Sequence, residues 1–209
     1  NTPIAVLGDL LNAQQQAFNA QLLPSAEQRI AWLQALRKVL AAGQQLIAET
    51  ISADFSHRSH DETRLAELMP SLEGVDYACK NIQRWMKPAK RKVGLAFQPA
   101  KAQVLYQPLG VVGVIVPWNY PLFLSIGPLT GALAAGNRVM IKMSEHTPRT
   151  AQLLKELLGK VFSEDLVCVV QGEVDVAVAF AELPFDHLLF TGSTQVGKQV
   201  MHAAAKNLT

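Results

Sequence analysis

Cysteine is scarce in this chain: Cys79 and Cys168 are the only two among 209 residues. A chain of this length can bury a hydrophobic core large enough to fold without disulfide bonds. We therefore expect a reduced compartment, the cytoplasm in particular. The N-terminus also lacks the succession of basic, apolar and small residues that defines a secretory signal.

Charge is also sparse, since Asp, Glu, Lys and Arg make up 17% of the residues and the net charge is +2. So mild a balance does not imply a polyanionic partner. A basic cluster at 87–92 lies beside Trp85, but no wider basic face accompanies it. We interpret the cluster as a solvated loop and expect no nucleic-acid partner.

The chain is poor in clustered metal ligands as well. His57 and His60 form a short pair, with Asp61 next to them, but no further close ligand follows. Such a pair is typical of a polar connection, so we predict no metal site.

One stretch, 102–137, contains no charged residue and is long enough to cross a bilayer. Prolines and glycines interrupt it too often for one continuous helix. The interruptions are Pro108, Gly110, Gly113, Pro117, Pro121, Gly127, Pro128, Gly131 and Gly136. A buried strand, a tight turn and a buried helix explain this stretch better, so we expect no membrane segment.

The first part of the chain has the periodicity of helices. We expect one helix over 9–23 and a second that opens with the capping box Ser25–Gln28 and keeps its apolar positions as far as Ile51. A third helix should bury one stripe, with Pro70 bending or dividing it. The stripe comprises Leu65, Leu68, Met69, Leu72, Val75, Cys79, Ile82, Trp85 and Met86.

From Val93 the apolar residues alternate as in strands, which predicts an extended arm over 94–108. Beyond it, strands over 111–116, 138–142, 166–170 and 187–191 alternate with helices over 122–135, 148–162, 174–181 and from Ser193 or Thr194 onward. This order predicts an α/β fold, a Rossmann-like doubly wound parallel sheet with N-terminal helices. Thr147 and Pro148 match an N-cap followed by proline at the first helical position. We expect 1–93 and 109–209 to form one nucleotide-binding domain and the arm to reach a partner subunit.

Ligands bind beyond the carboxyl ends of parallel strands, where three segments with chemical potential fall. In 117–121 the side-chain amide of Asn119 is placed for an oxyanion. In 142–145 Lys142 and Glu145 suit ribose hydroxyls, and the glutamate, which would repel a 2′-phosphate, favours NAD over NADP. In 191–198 a glycine-flanked turn opens a helix where a phosphate can bind.

The last segment also approaches the phosphate loop of nucleoside triphosphatases, with Gly192, Gly197 and Lys198 at the right spacing. However, Gln199 stands where a Ser or Thr must coordinate magnesium. A second alternative is a non-catalytic dinucleotide-binding module.

Together, 114–121, 142–145 and 190–198 resemble the aldehyde dehydrogenase superfamily in order and spacing. Within that superfamily, 53–59, 84–88 and 93–99 are similar to the bacterial coniferyl-aldehyde dehydrogenases. The resemblance implies attack on a small aldehyde by a cysteine thiolate, an oxyanion held by Asn119, hydride transfer to NAD or NADP, and hydrolysis assisted by a glutamate. It also implies a homodimer or homotetramer when the enzyme is full length.

By the same resemblance, eleven residues would line the cofactor site: Ile115, Val116, Pro117, Trp118, Lys142, Glu145, Gly172, Phe190, Gly192, Ser193 and Val196. Met143 departs from the usual proline of the family. By the same resemblance, the glutamate of the family would follow soon after the last helix of this chain, and the catalytic cysteine would lie further on, in a catalytic domain that this chain lacks. We therefore expect this chain to be inactive alone, and Cys79 and Cys168 to be inert core residues.

Overall fold

A computed structural model describes all residues, 1–209, as a layered arrangement of helices around a parallel sheet. The helices are α1 (Leu7–Ala20), α2 (Ala26–Ala42), α3 (Gln44–Asp54), α4 (His60–Thr63), α5 (Met69–Trp85), α6 (Phe123–Ala135), α7 (Pro148–Gly159), α8 (Val174–Ala181) and α9 (Thr194–Ala205). The strands are β1 (Ala89–Arg91), β2 (Ala102–Val104), β3 (Val111–Ile115), β4 (Arg138–Lys142), β5 (Val167–Val170) and β6 (His187–Phe190). None of the helices combines the length and apolar character needed to traverse a lipid bilayer.

The four long strands form one parallel sheet in the order β5-β4-β3-β6. The chain moves outward from β3 through β4 to β5 and then returns to the other side of β3. This reversal makes the β3–β6 junction a topological switch point, where open α/β sheets bind their ligands. The predicted doubly wound parallel sheet is confirmed, and its strands lie within one residue of the expected bounds.

Both faces of the sheet are buried, as parallel sheets require. Val112 and Val114 of β3 belong to the larger core, which α6 and α7 cover, whereas Val111 turns to a smaller core that contains Leu7 and Leu11 of α1. Because successive side chains of β3 point to opposite faces of the sheet, this one short strand packs against helices on both faces.

The predicted second helix is wrong as a single element, because it breaks at Gly43. Gly43 has φ −89° and ψ 3°, a bridge conformation between the α and β regions, and glycine is a poor helix former. The break lets α3 bury Ile47 and Ile51 beside α7, while α2 packs on α5 and α6.

The predicted third stripe is only partly right, because a π-helical turn at Arg64–Leu68 lies between α4 and α5. A π turn shifts the helical phase relative to an α-helix. As a result Leu65 and Met69 are 63% and 47% exposed, and Glu67 is fully buried in their place. Pro70 is the second residue of α5, close to the π turn that divides the predicted helix.

The arm is a hairpin in which β1 pairs antiparallel with β2, Lys90 opposite Gln103. The strand expected around Val93–Phe97 is wrong, since Leu95–Phe97 forms a 3-10 turn. Leu95 and Phe97 are 91% and 71% exposed. Strand β1 precedes the expected arm of 94–108 and pairs with β2 inside it. The division of the chain into domains stays a prediction.

Helix α7 begins at Pro148 as expected, but the Thr147 side chain does not cap it. The cap comes instead from Asp54 at the end of α3, whose carboxylate accepts from the backbone N–H groups of Arg149 at 3.3 Å and Thr150 at 2.8 Å and from the Thr150 hydroxyl at 2.8 Å. A carboxylate at a helix N-terminus also favours the helix dipole. The end of α3 is thereby fastened to the start of α7.

Asp54→Ala should lower the free energy of unfolding by about 1–2 kcal/mol, because it removes an N-cap that no neighbouring side chain replaces. Equilibrium urea denaturation measures the change. Asp9→Ala is the matched control, since Asp9 is exposed and makes no hydrogen bond through its side chain. Equal stability of the two variants would contradict the cap.

Candidate functional site

At the switch point, the loops that follow β3, β4 and β6 converge on a cleft of about 820 Å³. Such a volume is in the range of small-molecule and cofactor sites. Ten of the eleven cofactor residues expected from the sequence line this cleft: Ile115, Val116, Pro117, Trp118, Lys142, Glu145, Phe190, Gly192, Ser193 and Val196. The fold therefore brings together three segments that are far apart in the chain.

A second cavity, of about 1050 Å³, lies between α5 and α6 and is the larger of the two. It is lined by residues such as Tyr77, Trp85 and Thr130 and includes no residue of the parallel sheet. Because ligands of doubly wound folds bind at the carboxyl ends of strands, we take the smaller cleft as the candidate site.

Lys142, the last residue of β4, is 2% exposed. Its ammonium group donates to the carbonyl of Met143 and to that of Gly172, each at 2.8 Å. Burial lowers the pKa of Lys142, while the nearby carboxylate of Glu145 opposes that shift. An ammonium group has three N–H donors, so one remains for a ligand.

Gly172 does not line the cleft, but its carbonyl helps to fix the Lys142 side chain. A Cβ atom at this position would overlap the side chain of Val176 in α8. Gly172 therefore supports the cleft indirectly, because the absence of a side chain lets the backbone pass close to α8.

Glu145 and His146 follow on the same loop, with His146 Nε2 3.9 Å from Glu145 Oε1. The Glu145 side chain is 25% exposed and therefore within reach of a ligand in the cleft. Met143, found where a proline was expected, is buried, and its N–H donates to the Val170 carbonyl at 3.1 Å. A proline could not make that bond, which fastens the loop to β5.

The N-terminus of α9 borders the cleft through Ser193 and Val196. The Ser193 hydroxyl accepts from the Val196 N–H at 3.3 Å and so caps the helix. Gly192 packs against the ring of Phe190, which a Cβ atom would overlap. The remaining N–H groups of the first turn have no partner within the helix, so this end can bind an anion.

Helix α8 forms a wall of the cleft that was not predicted from the sequence. Val174, Ala177, Val178 and Ala181 of α8 line it, although Val174 and Val178 are more than half exposed. The sequence predicted a helix over 174–181 without assigning its apolar residues to the cleft. In the structure these residues form one side of the candidate site.

Asn119 lies beside the cleft but does not line it. The residue is exposed, and its side-chain amide makes no hydrogen bond within the protein, which leaves it available to a substrate. Its backbone carbonyl accepts from the guanidinium group of Arg58 at 2.8 Å.

Arg58 also contacts Glu67, with Nη1 3.3 Å from Oε1. The other carboxylate oxygen of Glu67 accepts from the N–H groups of Leu122 at 2.8 Å and Phe123 at 3.1 Å, at the start of α6. Desolvation raises the pKa of Glu67, although these hydrogen bonds oppose the shift. Nothing in the local sequence distinguishes this glutamate from a solvent-facing helix residue, since only the π turn directs it inward.

Neither cysteine lines the cleft. Cys168 is buried in β5, and burial raises its pKa to about 12. Cys79 is half-buried on α5, where burial also raises its pKa. Thiolates attack and thiols do not, so neither residue has the character of a nucleophile. No group of three or more His, Cys, Asp or Glu side chains is placed to hold a metal ion.

Comparison with known proteins agrees with this architecture. Residues 8–209 match the sequence model described as "Aldehyde dehydrogenase family". The chain is 69% identical over 200 residues to a probable coniferyl aldehyde dehydrogenase of Pseudomonas aeruginosa, a match that covers 96% of this chain and 42% of the relative. It is 43% identical to a coniferyl aldehyde dehydrogenase of Pseudomonas sp. strain HR199, covering 97% of this chain and 42% of the relative.

Solved structures show the same fold. Substrate-bound AldH of Staphylococcus aureus superposes with a TM-score of 0.94 at 31% identity, over 100% of this chain and 45% of that protein. An aldehyde dehydrogenase of Mycobacterium tuberculosis complexed with NAD+ gives 0.87 at 29% identity, over 100% of this chain and 43% of that protein. The chain thus spans less than half the length of the relatives it matches.

The native thiols should differ in reactivity. Because Cys168 is buried with its pKa near 12, we expect no labelling by iodoacetamide at neutral pH until the protein unfolds, whereas half-buried Cys79 reacts slowly. Mass spectrometry of labelled peptides, with and without urea, measures both. Rapid native labelling of Cys168 would contradict its assignment to the core.

Proposed function

The chain belongs to the aldehyde dehydrogenase family, and from that premise we propose that it is the cofactor-binding part of a longer enzyme that oxidises an aldehyde with NAD or NADP. The observation that carries this proposal is the meeting of three strand-to-helix loops around a cleft that contains a buried lysine with an uncommitted donor.

The polar groups of the cleft fit a dinucleotide. We infer that the free N–H of Lys142 and the carboxylate of Glu145 bind the hydroxyls of a ribose, and that the N-terminus of α9 binds the pyrophosphate. The apolar wall of α8 would receive the adenine ring. When bound, the nicotinamide would accept the hydride from the aldehyde carbon after a nucleophile has added to that carbon.

The exposed amide of Asn119 is proposed to donate to the oxygen of the aldehyde as that oxygen gains negative charge. A preorganised donor of this kind stabilises the charge that develops in the transition state. No cysteine of this chain has the accessibility and pKa of a nucleophile. We therefore propose that the nucleophile and the base for hydrolysis lie outside 1–209, and that this chain alone does not turn over.

The proposal extends to the substrate, the assembly and the location. Two relatives are named as coniferyl aldehyde dehydrogenases, which favours an aromatic aldehyde such as coniferyl aldehyde. The exposed apolar residues of the hairpin, Leu95, Phe97 and Tyr106, support burial in a homodimer or homotetramer. Two unpaired cysteines favour a reducing, cytoplasmic location.

The proposed function is tested by expressing the complete reading frame and following formation of reduced nicotinamide with coniferyl aldehyde and with an aliphatic aldehyde. Turnover of the aromatic aldehyde that requires NAD or NADP is expected. Dinucleotide binding without any turnover would favour a non-catalytic binding module. Tight binding of magnesium and ATP would favour the phosphate-loop alternative, although this chain has Gln199 where a phosphate loop has Ser or Thr.

Asn119→Ala in that enzyme should lower kcat by about 10²–10³, the usual effect of removing one oxyanion donor, and leave the Kd for NAD within about twofold. Steady-state kinetics and fluorescence titration measure the two. Asn81→Ala is the control, because Asn81 lies on α5 and donates only to the carbonyl of Tyr77. An unchanged kcat for Asn119→Ala would remove this residue from the mechanism.

Glu145→Gln should raise the ratio of kcat/KM for NADP to that for NAD by about tenfold, since loss of one negative charge relieves repulsion of the 2′-phosphate by roughly 1.4 kcal/mol. Kinetics with the two dinucleotides at a fixed aldehyde concentration give the ratio. Glu156→Gln, at an exposed position of α7, supplies the charge-matched control. A ratio that moves equally in both variants would assign the effect to net charge.

A further inference from the structure

The turn that follows α3 has an unusual backbone. Ser56 and His57 have φ values of 51° and 82°, which non-glycine residues seldom adopt. Two successive residues in this region cost conformational energy, and such strain persists where surrounding contacts hold it in place. Here it directs the next residue, Arg58, toward the loop over 117–121.

Arg58 makes five contacts at once, two of which are the approach of Nε to Glu62 Oε1 at 3.9 Å and a position 5.2 Å from the centroid of the Tyr120 ring. Its guanidinium group donates to the Asn119 carbonyl, pairs with Glu67, and lies 3.6 Å from the centroid of the Phe55 ring. The side chain is 11% exposed, so these interactions are poorly screened by solvent. A planar, forked cation suits this set of partners, and the ammonium group of lysine does not.

The backbone of the Asn119 loop has few other attachments. From Pro117 to Tyr120, the other backbone group with a protein partner is the Tyr120 carbonyl, which accepts from Leu124. Glu67 holds the far end of the loop through the N–H groups of Leu122 and Phe123. Arg58 and Glu67 thus fasten the loop at Asn119 and just beyond its C-terminal end.

We propose that Arg58 and Glu67 are positioning residues that fix the loop over 117–121, and with it the direction in which Asn119 presents its amide. The catalytic consequence rests on the proposed role of Asn119, whereas the fixing of the loop does not. Small misplacements of a reacting or stabilising group are costly, about 10²-fold for 1 Å, so the pair acts on catalysis without touching the substrate.

The first test uses Arg58→Met in the enzyme expressed from the complete reading frame. We expect kcat to fall by about tenfold or more, with the KM and Kd for NAD within about twofold of the wild type, because the Lys142 and α9 parts of the cleft are untouched. The matched control is Arg64→Met, since Arg64 is an exposed arginine of the same segment that pairs with Asp61. Arg58→Lys should restore only part of kcat.

An unchanged kcat in Arg58→Met would overturn the proposal. So would a decrease accompanied by an equal loss of NAD affinity, because a general loosening of the fold would then suffice. If Arg58→Met does not fold, Arg58→Lys, which keeps the positive charge opposite Glu67, decides by the same split between kcat and KM.

The second test needs no activity. Hydrogen exchange followed by mass spectrometry on peptides that cover 117–124 should show faster exchange at Leu122 and Phe123 in Glu67→Gln, and in Arg58→Met, than in Arg64→Met. Peptides from β4 and α7 should be unchanged. Unaltered exchange in both variants would overturn the proposal even in an active enzyme. If the wild type oxidises no aldehyde, the proposed function fails while exchange still decides whether this pair holds the loop.

Discussion

The hydrogen bonding of β3 to β4 on one side and to β6 on the other is the constraint on which the rest of this structure depends. It aligns the carboxyl ends of three strands, and the loop that follows each one begins at the same edge of the sheet. Val112 pairs with Val139 and with His187 in register. A shift of one residue would move every side chain of the strand to the opposite face of the sheet and disrupt both cores. The cleft is therefore a consequence of strand order before any side chain is considered.

Two buried charges at this edge are compensated in different ways. Lys142 is held by two carbonyl groups and keeps one N–H without a protein partner. Glu67 has its charge balanced by Arg58 and by two N–H groups at the start of α6. A buried charge with a spare hydrogen-bonding site is suited to a ligand, whereas a fully partnered one stabilises a particular local structure. This difference underlies our assignment of Lys142 to binding and of Glu67 to positioning.

The sequence predicted the sheet well because its strands are short, almost wholly apolar and separated by glycine and proline. The bounds of β4 and α8 were correct to the residue. It failed where a local choice depends on tertiary contacts. A π turn leaves no sign in periodicity, so Leu65 was expected inside and Glu67 was not noticed. Similarly, the Thr147–Pro148 pair matched a capping pattern, but the cap is supplied by Asp54 from more than ninety residues earlier in the chain.

In the candidate site, too, the features set by local sequence were predicted and those set by tertiary contacts were not. The three loops could be found in the sequence because each combines a strand end with residues of distinct chemistry, such as Lys142. The apolar wall of α8 was not predicted as part of the site, because periodicity indicates that one face of a helix is apolar and does not indicate what covers it. Arg58 lies 61 residues before Asn119, and no local pattern connects them.

The segment from Asp54 to Arg58 gives the N-terminal helices a role beyond covering the sheet. Asp54 caps α7, which follows the loop of Lys142 and Glu145, and Arg58 holds the loop of Asn119. The first and last residues of this five-residue segment thus contact α7 and the Asn119 loop, respectively. A displacement of α3 would be transmitted to both, because one contact is a helix cap and the other is a charged hydrogen bond to a backbone carbonyl. The turn at Ser56 and His57 lies between Asp54 and Arg58 and sets the distance between them. We infer that the contacts of Asp54 and Arg58 hold these two residues at their positive φ values.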